Sequence, residues 1–425
     1  MENLVSLYLD GCESLKNLPS SIHLLEALTN LSVNDCSRLE ELPEIFESMG
    51  RLKSLWLNAT AMKELPSLIS HLVGLKTLSL DMCKNLKFLP NISALKCLET
   101  LSLSECGQIE KVPCLAGLSS LVELNLSSCC NLLQIPEDIG FLSLLCNLSL
   151  KRSKIVSIPA SIKNLSELYH LDLTDCASLE LLPELPPFLH YLYATNCVSL
   201  SKVELASRNL IEDGWNKPDN VQVFDFSGCL ELDPESCSCI MADAQIRIQH
   251  MAKLARKQSP SVTICFPGNE IPDLFAHRTE GSCLTMKLSS GWCNDRFLGF
   301  ALCVVAEIKG RALEDFRLQC GLKINDGNFQ KYDSPCLWYG TRYVDSNHTL
   351  IWYDHAFHHQ TRKEIKSGYH TDEISIDFYS INAFDFVYSW EVTKCGICLL
   401  YAYSDNDEDE EEEEDNNDNE EEVKE

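Results

Sequence analysis

Apolar residues return along the first half of this chain with one fixed spacing. From Leu4 onward the order Leu-x-x-Leu-x-Leu-x-x-Cys-x-x-Leu-x-x-Leu-Pro recurs at steps of 23 or 24 residues, and the first leucine falls at Leu4, Leu28, Leu52, Leu75, Leu98, Leu121, Leu145, Leu168 and Leu189, the last step shortening to 21. A tenth unit, Val221-x-x-Phe224-x-Phe226-x-x-Cys229-x-x-Leu232, follows a longer insertion and puts aromatics in the leucine positions. Within Leu-x-x-Leu-x-Leu the alternation is that of a strand with one buried face, and the remainder of each unit is a turn or a short helical return.

A single unit is too small to bury its own apolar side, so neighbours must stack into a continuous core. The pattern is that of an α/β leucine-rich-repeat solenoid of about ten repeats over residues 1–232. It also accounts for much of a count of 22 cysteines. Cys12, Cys36, Cys83, Cys106, Cys129, Cys176, Cys197 and Cys229 share the position three residues after the last strand leucine, with Thr60 and Ser153 standing there in two units. That position takes a small polar residue turned inward to bond backbone. These thiols are read as small buried groups, and so many unpaired thiols point to a reducing compartment. Cys237-x-Cys239 and Cys395-x-x-Cys398 lack partner pairs at metal-site spacing. His348, His355, His358, His359 and His370 fall in or around a polar stretch, 353–368, that reads as a solvated loop. No metal and no cofactor is expected.

In a stacked array the strands lie about 4.8 Å apart, and the residues flanking the leucines face out of the concave surface. The central column should be Tyr8, Ser32, Trp56, Ser79, Ser102, Asn125, Ser149, Asp172 and Tyr193, with Asp10, Asn34, Asn58, Asp81, Ser104, Ser127, Lys151, Thr174 and Thr195 beside it. Such a face spans about 40 Å, the scale of a protein surface rather than a metabolite. Exposed Tyr8, Trp56, Tyr169 and Tyr193 are of the type that anchors protein interfaces. The candidate protein-binding residues are therefore Tyr8, Asn34, Trp56, Asn58, Asp81, Asn125, Lys151, Tyr169, Asp172 and Tyr193.

Past residue 232 the period changes. Asp233-Pro234 opens a helix that places Ile240, Ala244, Ile248, Met251 and Ala255 on one face, ends in basic Lys253, Arg256 and Lys257, and is closed by Ser259-Pro260. This is a connector over 233–260, its apolar stripe docking on the neighbouring domain rather than on a membrane surface. From 261 to 403 the chain reads as short strands: Val262–Phe266, Leu284–Leu288, Leu298–Ile308, Phe316–Ile324, Thr349–Tyr353, Ile374–Phe378, Val387–Val392 and Cys395–Tyr403. Ile374-Ser-Ile376-Asp-Phe378 alternates with period two, as in a sheet with one wet face. Seven or more strands in a segment of this length indicate a β-sandwich.

The run Cys265-Phe-Pro-Gly-Asn-Glu-Ile-Pro272, then Phe275-Ala-His277, Gly281-Ser282, Leu298-Gly-Phe-Ala-Leu-Cys303 and Lys394-Cys395-Gly396 resemble the C-terminal jelly-roll and Ig-like domain that follows the repeats in plant intracellular immune receptors of the TIR, nucleotide-binding, leucine-rich-repeat class. The repeats, with Asp-x-Cys and Leu-Pro signatures, resemble the same receptors. Leu274 departs from the tryptophan expected there, which bears on one local contact. The resemblance implies joint recognition of pathogen effectors by the repeats and the C-terminal domain, triggering a defence response through relief of autoinhibition and self-association of receptors. It implies a cytoplasmic or nuclear location.

No Gly-x4-Gly-Lys-Ser/Thr loop, Gly-x-Ser-x-Gly elbow or His-Glu-x-x-His occurs. The enzymatic chemistry of that receptor class belongs to a TIR domain with no residues here, so no catalysis is expected. Met1 is followed at once by the middle of a repeat without a polar cap, so the chain reads as the C-terminal part of a larger protein. Two alternatives stand beside the receptor reading. One is a truncated decoy or adaptor that binds a full-length receptor or host protein. The other is an extracellular repeat receptor, for which the Asn-x-Ser/Thr sequons at Asn30, Asn58, Asn91, Asn125, Asn147 and Asn164 speak; the many free thiols and the lack of an 18-residue apolar run speak against it.

The formal charge is −28. Residues 405–425 hold 15 acids and one lysine, so about half of it sits in a self-repelling tail, 404–425, expected to remain disordered. The acidic balance elsewhere excludes nucleic-acid binding, which needs clustered Lys and Arg.

Overall fold

The computed structural model describes residues 3–43, 49–205, 221–254, 259–289, 291–309, 316–324, 330–338, 346–359, 373–381 and 389–402. The acidic tail, Arg256 and Lys257, the insertion before the tenth repeat and residues 360–372 lie outside them.

Ten repeats each contribute one short strand to a parallel sheet. In chain order the strands of the array are β1 (Ser6–Tyr8), β2 (Asn30–Ser32), β3 (Ser54–Trp56), β4 (Thr77–Ser79), β5 (Thr100–Ser102), β6 (Glu123–Asn125), β7 (Asn147–Ser149), β8 (His170–Asp172), β9 (Leu181–Leu182), β10 (Tyr191–Tyr193), β11 (Lys202–Val203) and β12 (Val221–Asp225). β9 and β11 form a small separate pair, and the other ten line up in repeat order. The returns are 3₁₀ rather than α: Ser20–Leu24, Ser67–His71, Glu137–Phe141 and Ala160–Asn164 each follow a proline held near φ −60°.

Two features explain the invariance of each turn. The residue before the cysteine position is left-handed in every repeat: Gly11, Asp35, Ala59, Met82, Glu105, Ser128, Arg152, Asp175, Asn196 and Gly228 have φ between 53° and 77°. The cysteine thiol then donates backwards to the preceding repeat, Cys83 Sγ to Leu57 O at 3.1 Å, Cys106 Sγ to Leu80 O at 3.0 Å and Cys229 Sγ to Ala194 O at 3.0 Å. Burial pushes the thiols of Cys83, Cys106, Cys129 and Cys176 up, the last two to about 12, so they remain protonated donors without nucleophilic character. No disulfide occurs among the described cysteines.

The helix α1 (Pro234–Leu254) begins with proline at its first turn and Asp233 as cap, the Ser236 amide donating to Asp233 Oδ1 at 2.7 Å. Ile240, Ala244, Ile248 and Met251 are buried, so its stripe docks on the protein. The same face carries a buried ion pair, Arg247 Nε to Asp243 Oδ2 at 2.6 Å, with the guanidinium 4.0 Å from the centroid of the Phe224 ring and bonded to Gln222 Oε1 at 3.2 Å.

Nine strands follow: β13 (Ser261–Pro267), β14 (His277–Glu280), β15 (Cys283–Lys287), β16 (Phe297–Lys309), β17 (Phe316–Ile324), β18 (Gln330–Trp338), β19 (Ser346–Asp354), β20 (Glu373–Ile381) and β21 (Ser389–Tyr401). They form two sheets. One has the order β15-β20-β17-β18; the other, β13-β19-β16-β21-β14, is not separate, because β13 pairs in parallel with β12 from Val221↔Ser261 to Asp225↔Cys265. A single fifteen-stranded sheet therefore runs from the first repeat into the sandwich.

That shared sheet is buried on both faces. Ala301, Cys303, Val305, Ile351 and Tyr353 join the core that continues from the repeats past α1, while Phe300, Leu302, Val304, Leu350 and Trp352 form a second core against the other sheet. This is why 298–306 is apolar at almost every position. The Cys265–Pro272 run is equally well explained: Gly268 lies where a Cβ would come within 2.8 Å of Thr349 Oγ1, and Ile271 and Phe275 pack over Gly396, whose Cβ would meet Ile271 Cγ2 at 2.6 Å.

Three expectations are corrected. The strands read as Val387–Val392 and Cys395–Tyr403 are one, β21. The stretch read as a loop from Tyr353 begins as the end of β19 and continues as a helical turn over 355–359. β14 and β18 were not foreseen. β14 is the polar His-Arg-Thr-Glu at a sheet edge, and β18 contains Pro335, which is tolerated there because β18 is also an edge.

Candidate functional site

The concave column assembles in register. Tyr8 pairs with Ser32, and the ladder continues through Trp56, Ser79, Ser102, Asn125, Ser149, Asp172 and Tyr193 to a tenth member, Asp225. Tyr8 is 59% exposed. Trp56, Tyr169 and Tyr193, expected to be exposed, are half-buried.

The second column has a different task. Asp10 Oδ1 accepts from the Ser32 hydroxyl and, at 2.9 Å, from the Asn34 amide; Asn34 Oδ1 accepts from the Asn58 amide at 2.9 Å. Asn58 Oδ1 takes the Asp81 amide at 2.8 Å and the Ser79 hydroxyl at 2.6 Å, and Asp81 Oδ1 takes the Ser104 amide at 2.8 Å. Asn34, Asn58 and Asp81 therefore spend their carbonyl or carboxylate oxygens on the amide of the next repeat, fixing register. In the later repeats the bond turns within the unit: Asn125 Oδ1 accepts from Ser127, and Asp172 Oδ1 from the Thr174 amide at 2.9 Å. Lys151 is half-buried in the same column.

Tyr169 and Tyr193 belong to a larger aromatic group at the C-terminal end of the face. Tyr169 stacks on His190 with centroids 4.6 Å apart, and Tyr191 and Tyr193, flanking Leu192, lie near parallel at 17° with centroids 6.4 Å apart. His170 sits 5.5 Å from Tyr193 and 6.0 Å from Tyr191. His170 and Tyr191 were not singled out from sequence. They stand one residue before the middle leucine of their units, and residues two apart on a strand share a face. Burial lowers the pKa of His170 against the opposing pull of Asp172, which keeps it neutral at pH 7.

The column ends at the junction with the sandwich. Asp225 is buried, accepts from the Ser227 amide at 2.8 Å and the Thr195 hydroxyl at 3.0 Å, and has its pKa raised by burial. Elsewhere, a cleft of about 860 Å³ lies between α1 and the segment 270–274, with Arg278, Glu280 and Lys394 on its far wall. Among the described residues no cluster of three or more His, Cys, Asp or Glu could hold a metal ion, and no helix is long and apolar enough to cross a membrane.

A C-JID domain model matches residues 266–406, and the model of the leucine-rich repeats of "Disease resistance protein RPS4B-like" proteins matches 24–111. The chain belongs to the plant disease resistance proteins that carry these repeats and a C-JID domain. It is 30% identical to the Arabidopsis thaliana "Disease resistance-like protein DSC1", covering 95% of this chain and 33% of that protein. It is also 30% identical to "Disease resistance protein RPS4B" of the same plant, over 94% of this chain and 29% of that one. The chain thus spans about a third of the length of these relatives. Among solved structures, the leucine-rich repeat domain of the type III effector XCV3220 (XopL) aligns with 56% of this chain and 74% of its own at 22% identity and a TM-score of 0.39.

Proposed function

We propose that this disease resistance chain is the ligand-recognition part of an intracellular plant immune receptor, and that it binds a pathogen effector or a host protein through its concave face. The observation that carries this reading is the unbroken ten-residue column from Tyr8 to Asp225, with Tyr8 and Trp56 near one end and the Tyr169, Tyr191 and Tyr193 group at the other. Large aromatics on a rigid sheet lose little entropy on binding and dominate protein interfaces. The sandwich continues the sheet, so its loops can reach the same ligand, and binding there would lead to a defence response. Members of the family supply the immune role, and the absence of a membrane-crossing helix among the described residues is compatible with a cytoplasmic or nuclear place of action.

The test is a binding screen of the chain against secreted proteins of plant pathogens, followed by Trp56→Ala and Tyr193→Ala. Each should weaken a true ligand by about tenfold, as for truncation of an interface anchor. A ligand held equally well by both variants would remove the concave face from the mechanism.

A further inference from the structure

One side of the sandwich ends in an open strand. Among the described residues, β14 has β21 as its single hydrogen-bonded neighbour and closes the fifteen-stranded sheet at that end. The Gly281 amide donates to Thr393 O at 2.6 Å, which sets the alternation along the strand. Thr279, opposite Cys395, turns its amide and carbonyl to β21, while Arg278 and Glu280 turn theirs to the free edge. Space is open at the adjoining corner, where a Cβ on Gly281 would meet no described residue within 4 Å beyond its chain neighbours.

The edge is charged rather than apolar, which guards it against indiscriminate pairing. Its charges nevertheless stand in an order that matches itself. Arg278 and Glu280 alternate with Thr279, so both side chains lie on the face that borders the cleft beside α1, the arginine 53% and the glutamate 81% exposed. Each holds its own partner loosely: Arg278 Nη1 lies 2.9 Å from Asp273, whose carboxylate is 99% exposed, and Glu280 lies 3.8 Å from Lys394. Antiparallel pairing of β14 with an identical strand, centred on Thr279, sets Arg278 opposite Glu280 of the second copy and Glu280 opposite its Arg278. The backbone groups that face outward on one copy then meet those of the other, and Thr279 meets Thr279 on the two-fold axis, a favourable cross-strand pair. Centring the pair on Arg278 or on Glu280 instead sets like charges opposite each other. The order Arg-Thr-Glu therefore selects a register with itself.

We propose that β14 is the contact through which two copies of this chain associate, by antiparallel edge-to-edge pairing in which Arg278 of each copy faces Glu280 of the other. Such a contact is isologous, as a two-fold dimer requires. Its small area makes the dimer weak and dependent on concentration. The surface is separate from the concave face, and the pairing holds whether or not that face binds a protein.

Sedimentation equilibrium of the full chain over a range of concentrations, in salt that screens the acidic tails, reads the association directly. The parent should gain mass towards that of a dimer as concentration rises. Glu280→Arg and Arg278→Glu each set like charges opposite one another across the two-fold axis, and each should weaken self-association by about tenfold. An equimolar mixture of the two variants restores opposite charges at every contact and should associate as strongly as the parent, although neither variant does so alone. Recovery in the mixture also shows that both variants are folded. A parent that stays monomeric at every concentration overturns the proposal. Undiminished self-association of either variant does so too, because it moves the contact to another surface, and so does a mixture no stronger than its components.

Discussion

The backbone amide of Gly228, in the left-handed turn of the last repeat, donates to Nε2 of His348, in the second strand of the sandwich sheet, at 3.0 Å. His348 is buried and its Nδ1 lies 3.4 Å from Ser346 O, so the ring is held as the neutral tautomer with the proton on Nδ1. The bond ties the turn after β12 to β19, across the end of the β12–β13–β19 ladder.

Burial lowers the pKa of His348 to about 4 from 6.5. The unfolded chain therefore takes up this proton at a higher pH than the folded one, so stability is whole above pH 6.5 and falls as pH drops toward 4. At 1.36 kcal/mol per pH unit the loss amounts to about 3 kcal/mol. Urea midpoints measured from pH 7 to pH 4 should decline more steeply in the parent than in His348→Gln, which cannot titrate. Parallel declines would mean that the carboxylates alone set the acid limit.

Arg247 and Asp243 form a pair whose side chains are 4% and 2% exposed. Removing one partner strands the other charge: Arg247→Met should destabilise by about 3–5 kcal/mol, and adding Asp243→Leu should restore most of it. Calorimetry of the single and double variants checks this. A double variant as unstable as the single one would show that the bonds of Arg247 to Gln222 and Phe224 matter more than the charge balance.

Met82 has φ 60° and is 47% exposed. A left-handed backbone costs a side chain about 1–2 kcal/mol, partly offset by the entropy glycine brings to the unfolded chain. Met82→Gly should therefore raise stability by about 0.5–1 kcal/mol, and the thermal midpoint should rise. A lowered midpoint would reveal packing by Met82 that outweighs the strain.

Gly396 faces Ile271 and Phe275 at distances a methyl group cannot share. Gly396→Ala should cost about 1–3 kcal/mol by overpacking. Pairing it with Ile271→Val should recover part of that. If the pair is no better than the single variant, the strain lies elsewhere around Phe275.

Much of this was legible in the sequence because it is local and repeated. Each unit must bury the same leucines and turn at the same place, so period, strand positions, central column and inward cysteines can be read by counting. The strand over Leu298–Ile308 and the docked stripe of α1 are also local patterns. β14 and β18 escaped because edge strands need neither alternation nor apolar content.

What tertiary structure alone decided depends on residues far apart in the chain. Asn34, Asn58 and Asp81 look like binding residues until the next repeat is placed beside them and takes their oxygens. Tyr169, His170, His190, Tyr191 and Tyr193 form a single surface only once β8 and β10 are in register. The boundary at residues 232–261 marks a change of period in the sequence and no break in the sheet, because hydrogen-bonded pairing of β12 with β13 needs only backbone, which leaves no trace in side-chain pattern.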